Sequence, residues 1–441
     1  MKSFYSIKFV TPLLAVFLVA GLARAAAPAK PNIILILTDD VGLGNLGCTG
    51  GPFKTPHIDA LAKEGLQFWQ CYATPQCSPT RCQTLTGRYS FRTGLIDNHI
   101  KVDIDPKQEV MIPTVMKQAG YITAHVGKWH VGPRSSGEFG FDETFVFPGS
   151  GLYWRATKAQ SKYYYVNGQK HDLPEGQYLP DLMHEFLVNF IAKHKDQPFF
   201  VYYPMAHIHS NIVRTPDSKP GADQNRLYTD NIEYMDKLVG KLMAELDRLH
   251  LREKTLVVFT GDNGTEGGYS KMATVNGRLI EGHKLSMNEG GSRVPLICNW
   301  PGVIPAGKVL NDLVDCSDFF TTFADLGGAQ LPAGVKIDGH SFAPQLRGEK
   351  GTPRDWIFVQ HGSHWYVRDQ GFKLDQSGEL SDMSEAPFDE KPATNNAEKA
   401  KLQAILVQLN PAGGKIGTRE PKPGKDGTDG KKSKKRQKSG T

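Results

Sequence analysis

Apolar residues in this chain come in short runs that end abruptly in charged or amide side chains. Asn32 to Thr38, Ile122 to Val126, Phe199 to Tyr203 and Thr255 to Thr260 are almost continuously apolar. They are too short for core helices and rich in branched and aromatic residues, so each is predicted as a strand buried on both faces. Helical periods lie between them. Pro56 to Glu64 has Pro at a helix start and Gly65 just past its end, and Leu227 to Leu249 sets Ile232, Met235, Val239, Leu242, Leu246 and Leu249 on one stripe. The alternation predicts an α/β fold built on a large, mostly parallel sheet sandwiched by helices.

After about residue 345 the texture changes. Trp356 to Val359, Trp365 to Arg368 and Gly371 to Leu374 read as short strands and Ala397 to Leu409 as a helix, which predicts a smaller C-terminal α+β domain carrying a short antiparallel sheet. At the other end Lys2 and Lys8 precede an apolar run from Phe9 to Ala20 and then Ala23-Arg24-Ala25, the pattern of a secretory signal with a small-residue cleavage site. That run is shorter than the roughly 20 residues that span a bilayer, and no later segment qualifies, so no transmembrane segment is expected. The expected organisation is a signal peptide over 1–25, a catalytic α/β domain over 26–345, a small subdomain over 346–410 and a tail over 411–441, in a secreted or periplasmic protein.

Charge refines this picture. The formal net charge is +6, but from Pro411 to Thr441 ten Lys or Arg face three Asp or Glu, and the leader holds three more basic residues. The remaining core is slightly acidic, so no nucleic-acid partner is expected. The tail, with Lys431-Lys432-Ser433-Lys434-Lys435-Arg436 and no apolar period, is expected to be disordered; tethering to an anionic surface is its functional alternative. Six dispersed cysteines do not make a disulfide-stapled miniature fold, although export allows one or two bridges.

The predicted strands run directly into polar residues: Asp39-Asp40, then Lys128 and His130, then His207, then Asp262-Asn263. Ligands of open α/β sheets bind outside the carboxyl ends of the strands, so these four segments are expected to meet. Two carboxylate clusters cannot be buried together without countercharge, which points to a cation with oxygen ligands, calcium first and magnesium second. The segment Pro75 to Tyr89, PQCSPTRCQTLTGRY, has Pro79 suited to a helix start and Gly87 to a stop, which puts Cys77 at a helix amino terminus that favours an anion. Soft sulfur suits a hard oxygen site poorly, so an oxygen group is expected to replace it.

Cys77-Ser78-Pro79-Thr80-Arg81 followed by Leu85-Thr86-Gly87-Arg88 resembles the signature of the type I sulfatases, in which such a cysteine is oxidised to formylglycine. The family's core of Cys, Pro and Arg is intact, with Thr80 where members most often have Ser. The resemblance runs from about Asn32 to Gly302, through Gly127-Lys128-Trp129-His130, Thr260 to Gly264, Gly282-His283-Lys284 and Glu289-Gly290-Gly291-Ser292-Arg293-Val294-Pro295. It implies that Asp39, Asp40, Asp262, Asn263 and the modified Cys77 ligate calcium, and that an aldehyde hydrate at Cys77 attacks sulfur, expels the alcohol and then releases sulfate. It further implies that Arg81 holds the hydrate, that Lys128 and Lys284 neutralise sulfate oxygens, and that His130 partners the formylglycine. A histidine that protonates the leaving alcohol is either His207 or His209, with His207 favoured by its spacing from the strand.

The expected activity is hydrolysis of a sulfate ester, on a sulfated carbohydrate or an aryl sulfate, after maturation by a formylglycine-generating enzyme. A phosphodiesterase or phosphonate monoester hydrolase on the same fold and a catalytically inactive sulfated-glycan binding protein are the alternatives. Asp142 to Lys170, with Tyr153, Trp154 and Tyr163-Tyr164-Tyr165, is a candidate wall for sugar stacking, with internal aromatic packing as the plainer reading. His361, His364 and Trp365 are candidates for closing the pocket.

Overall fold

The structure is a computed structural model that describes residues 30–155 and 162–411. The expected signal segment and all but the first residue of the basic tail lie outside the described residues. A ten-stranded sheet dominates. Its strands are β1 (Asn32–Thr38), β2 (Leu66–Tyr72), β3 (Ile122–Lys128), β4 (Glu143–Phe147), β5 (Tyr163–Val166), β6 (Gln169–Asp172), β7 (Phe199–Pro204) and β8 (Thr255–Gly261), then, after the two-residue strands β9 (Thr274–Val275) and β10 (Arg278–Leu279) of a separate hairpin, β11 (Arg293–Asn299) and β12 (Lys308–Asp315). The order across the sheet is β12-β2-β11-β8-β1-β7-β3-β4-β5-β6. The central run from β8 to β4 is parallel, and antiparallel strands flank it.

The sequence of β1 explains why the sheet is covered on both sides. Ile33, Leu35 and Leu37 project into one core with the helices Cys77–Thr86, Ile112–Gln118 and Asp318–Gly327, while Ile34 and Ile36 project into a second with Pro56–Lys63, Leu179–Lys193 and Gln224–Arg248. Successive strand residues face opposite ways, so only a continuous apolar run serves a strand with two cores. β8 repeats the division, with Leu256 and Val258 on one side and Val257 and Phe259 on the other.

A second sheet, all antiparallel, consists of β13 (Ile357–His361), β14 (His364–Arg368), β15 (Phe372–Asp375), β16 (Leu380–Asp382) and β17 (Lys391–Pro392), with the helix Asn396–Leu409 packed on it through Leu402 and Leu406. A buried ionic knot joins it to the main sheet. Glu289 accepts from Tyr72 of β2 at 2.9 Å, from Arg293 of β11 at 2.9 Å and from Arg368 of β14 at 2.9 Å, all four side chains being buried. All six cysteines are unpaired, so none of the bridges that export allows is formed. No helix among the described residues is long and apolar enough to cross a membrane.

Candidate active site

β1 and β8 are adjacent and parallel, with Thr38 level with Gly261, so Asp39-Asp40 and Asp262-Asn263 leave the sheet side by side. All four are fully buried. Asp40 turns through a left-handed backbone at φ 63°. Its amide donates to Asp262 Oδ1 at 3.1 Å, and Asn263 Nδ2 donates to Asp40 Oδ1 at 2.9 Å.

Three cations converge on these carboxylates. Lys128, the last residue of β3, donates through Nζ to Asp39 Oδ2 at 2.7 Å. Lys284, from the loop after the β9–β10 hairpin, donates to Asp40 Oδ2 at 2.8 Å. Arg81 donates from Nε and Nη2 to Asp262 Oδ2 and from Nη1 to the Lys128 carbonyl, which fixes its plane. Even so, one oxygen on each of two residues is left over. Asp39 Oδ1 and Asn263 Oδ1 are buried and have no hydrogen-bond partner, and carboxylate oxygens of Asp39, Asp40 and Asp262 lie within 4.8 Å of one another. Buried acceptors without donors are costly, and a set made only of hard oxygens suits a hard divalent cation.

Charge states follow from the same contacts. Burial raises the Asp39 carboxyl, but Lys128, His209, Arg81 and Lys284 outweigh it and hold the group well below the ordinary carboxylate range. Asp262 goes the other way, raised by burial and then by the facing Asp39 despite Arg81. Two carboxylates this close do not both ionise readily unless positive charge is added between them.

Cys77 is the first residue of the helix Cys77–Thr86, which Gly87 ends in a left-handed turn at φ 67°. The helix start is fixed by its own sequence. Thr80 Oγ1 accepts from the Thr74 amide at 2.9 Å, so the hydroxyl that Thr shares with Ser is used here. Sγ of Cys77 comes within 4.8 Å of ligand atoms of Asp39 and His209. Burial pushes the thiol up to about 11, with Lys128 opposing and Asp262 and Asp39 adding to the rise, so the sulfur is protonated at neutral pH and a weak nucleophile.

The eight predicted residues Asp39, Asp40, Cys77, Arg81, Lys128, Asp262, Asn263 and Lys284 thus form one cluster. His130 borders it; burial, then Lys128 and Arg81, lower its ring to about 2, so it is neutral. The His207 ring is not brought to the cluster, although the backbone carbonyl of His207 accepts from the Asp39 amide at 2.8 Å. That ring is wholly buried among Tyr153, Tyr178 and Tyr234, with Nε2 2.9 Å from the Tyr178 hydroxyl. His209, two residues on, is the one beside Cys77 and Asp39. Asn98 also belongs to the site without having been read from sequence. Its Oδ1 accepts from the Ser78 amide at 3.0 Å and its Nδ2 approaches Cys77 Sγ at 3.8 Å. Nothing local in Asp97-Asn98-His99 marks it, since it reaches Cys77 only through tertiary packing.

Comparison with known proteins supplies the kinship. The family model described as Sulfatase matches residues 31–329, and one described as N-sulphoglucosamine sulphohydrolase, C-terminal, matches residues 283–409. Arylsulfatase D of Homo sapiens is 30% identical over 443 residues, covering 79% of this chain and 74% of its own. N-acetylgalactosamine-6-sulfatase of Canis lupus familiaris is 35% identical over 387 residues, covering 79% and 72%. Among solved structures, Ps i-CgsB in complex with k-i-k-neocarrahexaose has a TM-score of 0.76 at 27% identity, over 86% of this chain and 92% of that one. A second, from a study of glycosaminoglycan metabolism by Bacteroides thetaiotaomicron, has a TM-score of 0.73 at 25% identity, over 87% and 99%.

Proposed function

The chain belongs to the sulfatase family and is a sulfuric ester hydrolase, and from that premise we propose that it removes sulfate from an extracellular glycan, using a formylglycine made from Cys77 and a calcium ion held by Asp39, Asp40, Asp262, Asn263 and the modified residue. The observation that carries this reading is the pair of orphaned oxygens, Asp39 Oδ1 and Asn263 Oδ1, in an all-oxygen cluster beside a cysteine too poorly acidic to act as a thiolate. A glycan is supported by the names of kin: one relative is an N-acetylgalactosamine-6-sulfatase, and one similar structure holds k-i-k-neocarrahexaose. The expected secretory leader points the same way.

When bound, the cation would supply positive charge for sulfate oxygens, and the formylglycine hydrate would supply the oxygen nucleophile that sulfur chemistry lacks. The chain's own residues do the rest. Arg81, clamped between Asp262 and the Lys128 carbonyl, keeps the first turn of the helix against the carboxylates. Lys128 and Lys284 hold charge on Asp39 and Asp40, at two sides of the cluster where negative charge on sulfate would build. The departing alcohol needs a proton, and His209 is the imidazole that faces Cys77 and Asp39, while His207 supports the loop from behind through Tyr178. His130, which burial, Lys128 and Arg81 keep neutral and whose buried Nδ1 has no partner, is placed to hydrogen-bond the modified residue rather than to carry a proton.

The test combines three measurements on protein from its native source: the mass of the peptide containing Cys77, metal content by elemental analysis, and sulfate release. Formylglycine, about one calcium per chain and released sulfate are expected. An unmodified Cys77 with full turnover would refute the mechanism, and turnover on phosphate diesters alone would refute the substrate class.

A further inference from the structure

A cleft of about 660 Å³ opens beside the cluster, with His130 in its wall, within the roughly 300–1,000 Å³ usual for small-molecule sites. Its floor follows from the strand pleat. Helix Leu179–Lys193 covers one face of β4 and β5, where Phe145 packs on Phe186 at 5.7 Å and Tyr164 stacks on Phe145 at 4.6 Å. The next residues in each strand, Val146 and Tyr165, are level in the ladder and face the other way, half-buried, into the cleft. Opposite them the Trp129 indole is held by its Nε1 donating to the Arg134 carbonyl at 2.8 Å and by Phe141. The expected aromatic wall is therefore divided. Tyr165 lines the cleft, whereas Tyr153 is buried with its hydroxyl on the Ala206 carbonyl at 2.8 Å, and Trp154 packs on Tyr178.

The charge of the cleft is equally informative. Besides His130 and Tyr165, its titratable lining groups among the described residues are Arg134 and Asp142. Arg134 donates to Asp103 at 2.6 and 2.8 Å; Asp142 accepts from Thr123 at 2.9 Å and pairs with Lys117. Both are neutralised within the protein. An aromatic, apolar floor with polar groups at its rim and no unpaired cation among the described lining residues suits the face of an uncharged sugar better than a second sulfate. Resting on the reading of the chain as a glycan sulfatase, we propose that this cleft is a subsite for an unsulfated sugar unit adjoining the unit whose ester is cleaved.

Tyr165→Ala, Tyr165→Phe and Val146→Trp, which fills the floor, test this on the full chain. The probes are nitrophenyl sulfate, a monosulfated monosaccharide, and singly and multiply sulfated tetrasaccharides prepared from carrageenan and chondroitin sulfate. In the unaltered protein kcat/KM should rise about tenfold from monosaccharide to singly sulfated tetrasaccharide, the scale of one or two stacking contacts. Tyr165→Ala and Val146→Trp should remove that gain, Tyr165→Phe should keep it, and all should stay within about twofold on nitrophenyl sulfate. Equal values for monosaccharide and tetrasaccharide, tighter use of the multiply sulfated probe, or equal losses on every probe would overturn the subsite. Calorimetric binding of desulfated tetrasaccharide separates the two ideas. Binding that Val146→Trp abolishes supports the subsite even if no sulfate is released, and undetectable binding, or binding that Val146→Trp leaves unchanged, overturns it; absence of sulfate release from every probe would count against the proposed function alone.

Discussion

Arg81 donates two hydrogen bonds to a single oxygen of Asp262, from Nε at 3.1 Å and Nη2 at 2.7 Å, and both side chains are wholly buried. Removing one partner of such a pair leaves an uncompensated charge in the interior. Arg81→Met should therefore cost about 3–5 kcal/mol of folding stability, read from denaturant melts, along with loss of turnover. Unchanged stability would mean that Asp262 is neutral in the folded protein.

The two histidines after β7 should behave differently. His209→Ala should lower kcat about 10²–10⁴-fold on sugar sulfates and much less on nitrophenyl sulfate, whose leaving group needs no proton. His207→Asn should change stability more than it changes the dependence on the leaving group, because its ring bonds Tyr178 and is walled off by tyrosines. A reversed pattern in steady-state kinetics would exchange their roles.

Chelation should destabilise the protein as well as silence it. With Asp39 Oδ1 and Asn263 Oδ1 lacking partners, a ligated cation stabilises the native state only. Calcium at about a hundred times its dissociation constant should add roughly 2.7 kcal/mol. Asp40→Ala should flatten that response in calcium-dependent melting curves; a response as large as before would move the cation elsewhere.

Acid sensitivity should come in part from His125. Its ring is fully buried between Tyr202 and Trp129, with Nδ1 2.8 Å from Ser136 Oγ, and burial, partly opposed by a backbone hydrogen bond of Lys128, lowers it to about 3. The unfolded ring titrates near 6.5, so between about 6.5 and 3 the unfolded chain binds the extra proton. The stability from this group is intact above 6.5 and lost as pH falls, at up to about 1.4 kcal/mol per pH unit. His125→Gln should give a shallower decline in stability between pH 6.5 and 4; an unchanged slope would assign it to other groups.

Much of this architecture is legible in the sequence where one residue class serves one purpose. β1 and β8 are buried on both faces and end in the carboxylates, so run and terminus announce strand and site together. β11 does not announce itself as a strand, since Pro295 and two polar ends break its pattern; its antiparallel neighbours β2 and β8 define it. The choice between His207 and His209 turns on which way the chain faces after Pro204, and residue spacing from a strand carries no such direction. Asn98 was invisible for the same reason, being twenty-one residues from Cys77 along the chain and bonded to it only by folding.

The knot of Glu289 with Tyr72, Arg293 and Arg368 bears on how this protein can be engineered. The small sheet is not an interchangeable part. A chimera that takes its last ninety or so residues from another protein must carry a guanidinium at the position of Arg368, or Glu289 keeps a buried charge with one countercharge fewer, a few residues along the chain from the lysine that grips Asp40. Grafts cut on either side of β14 should therefore be chosen by whether they keep that arginine rather than by where the sheet begins.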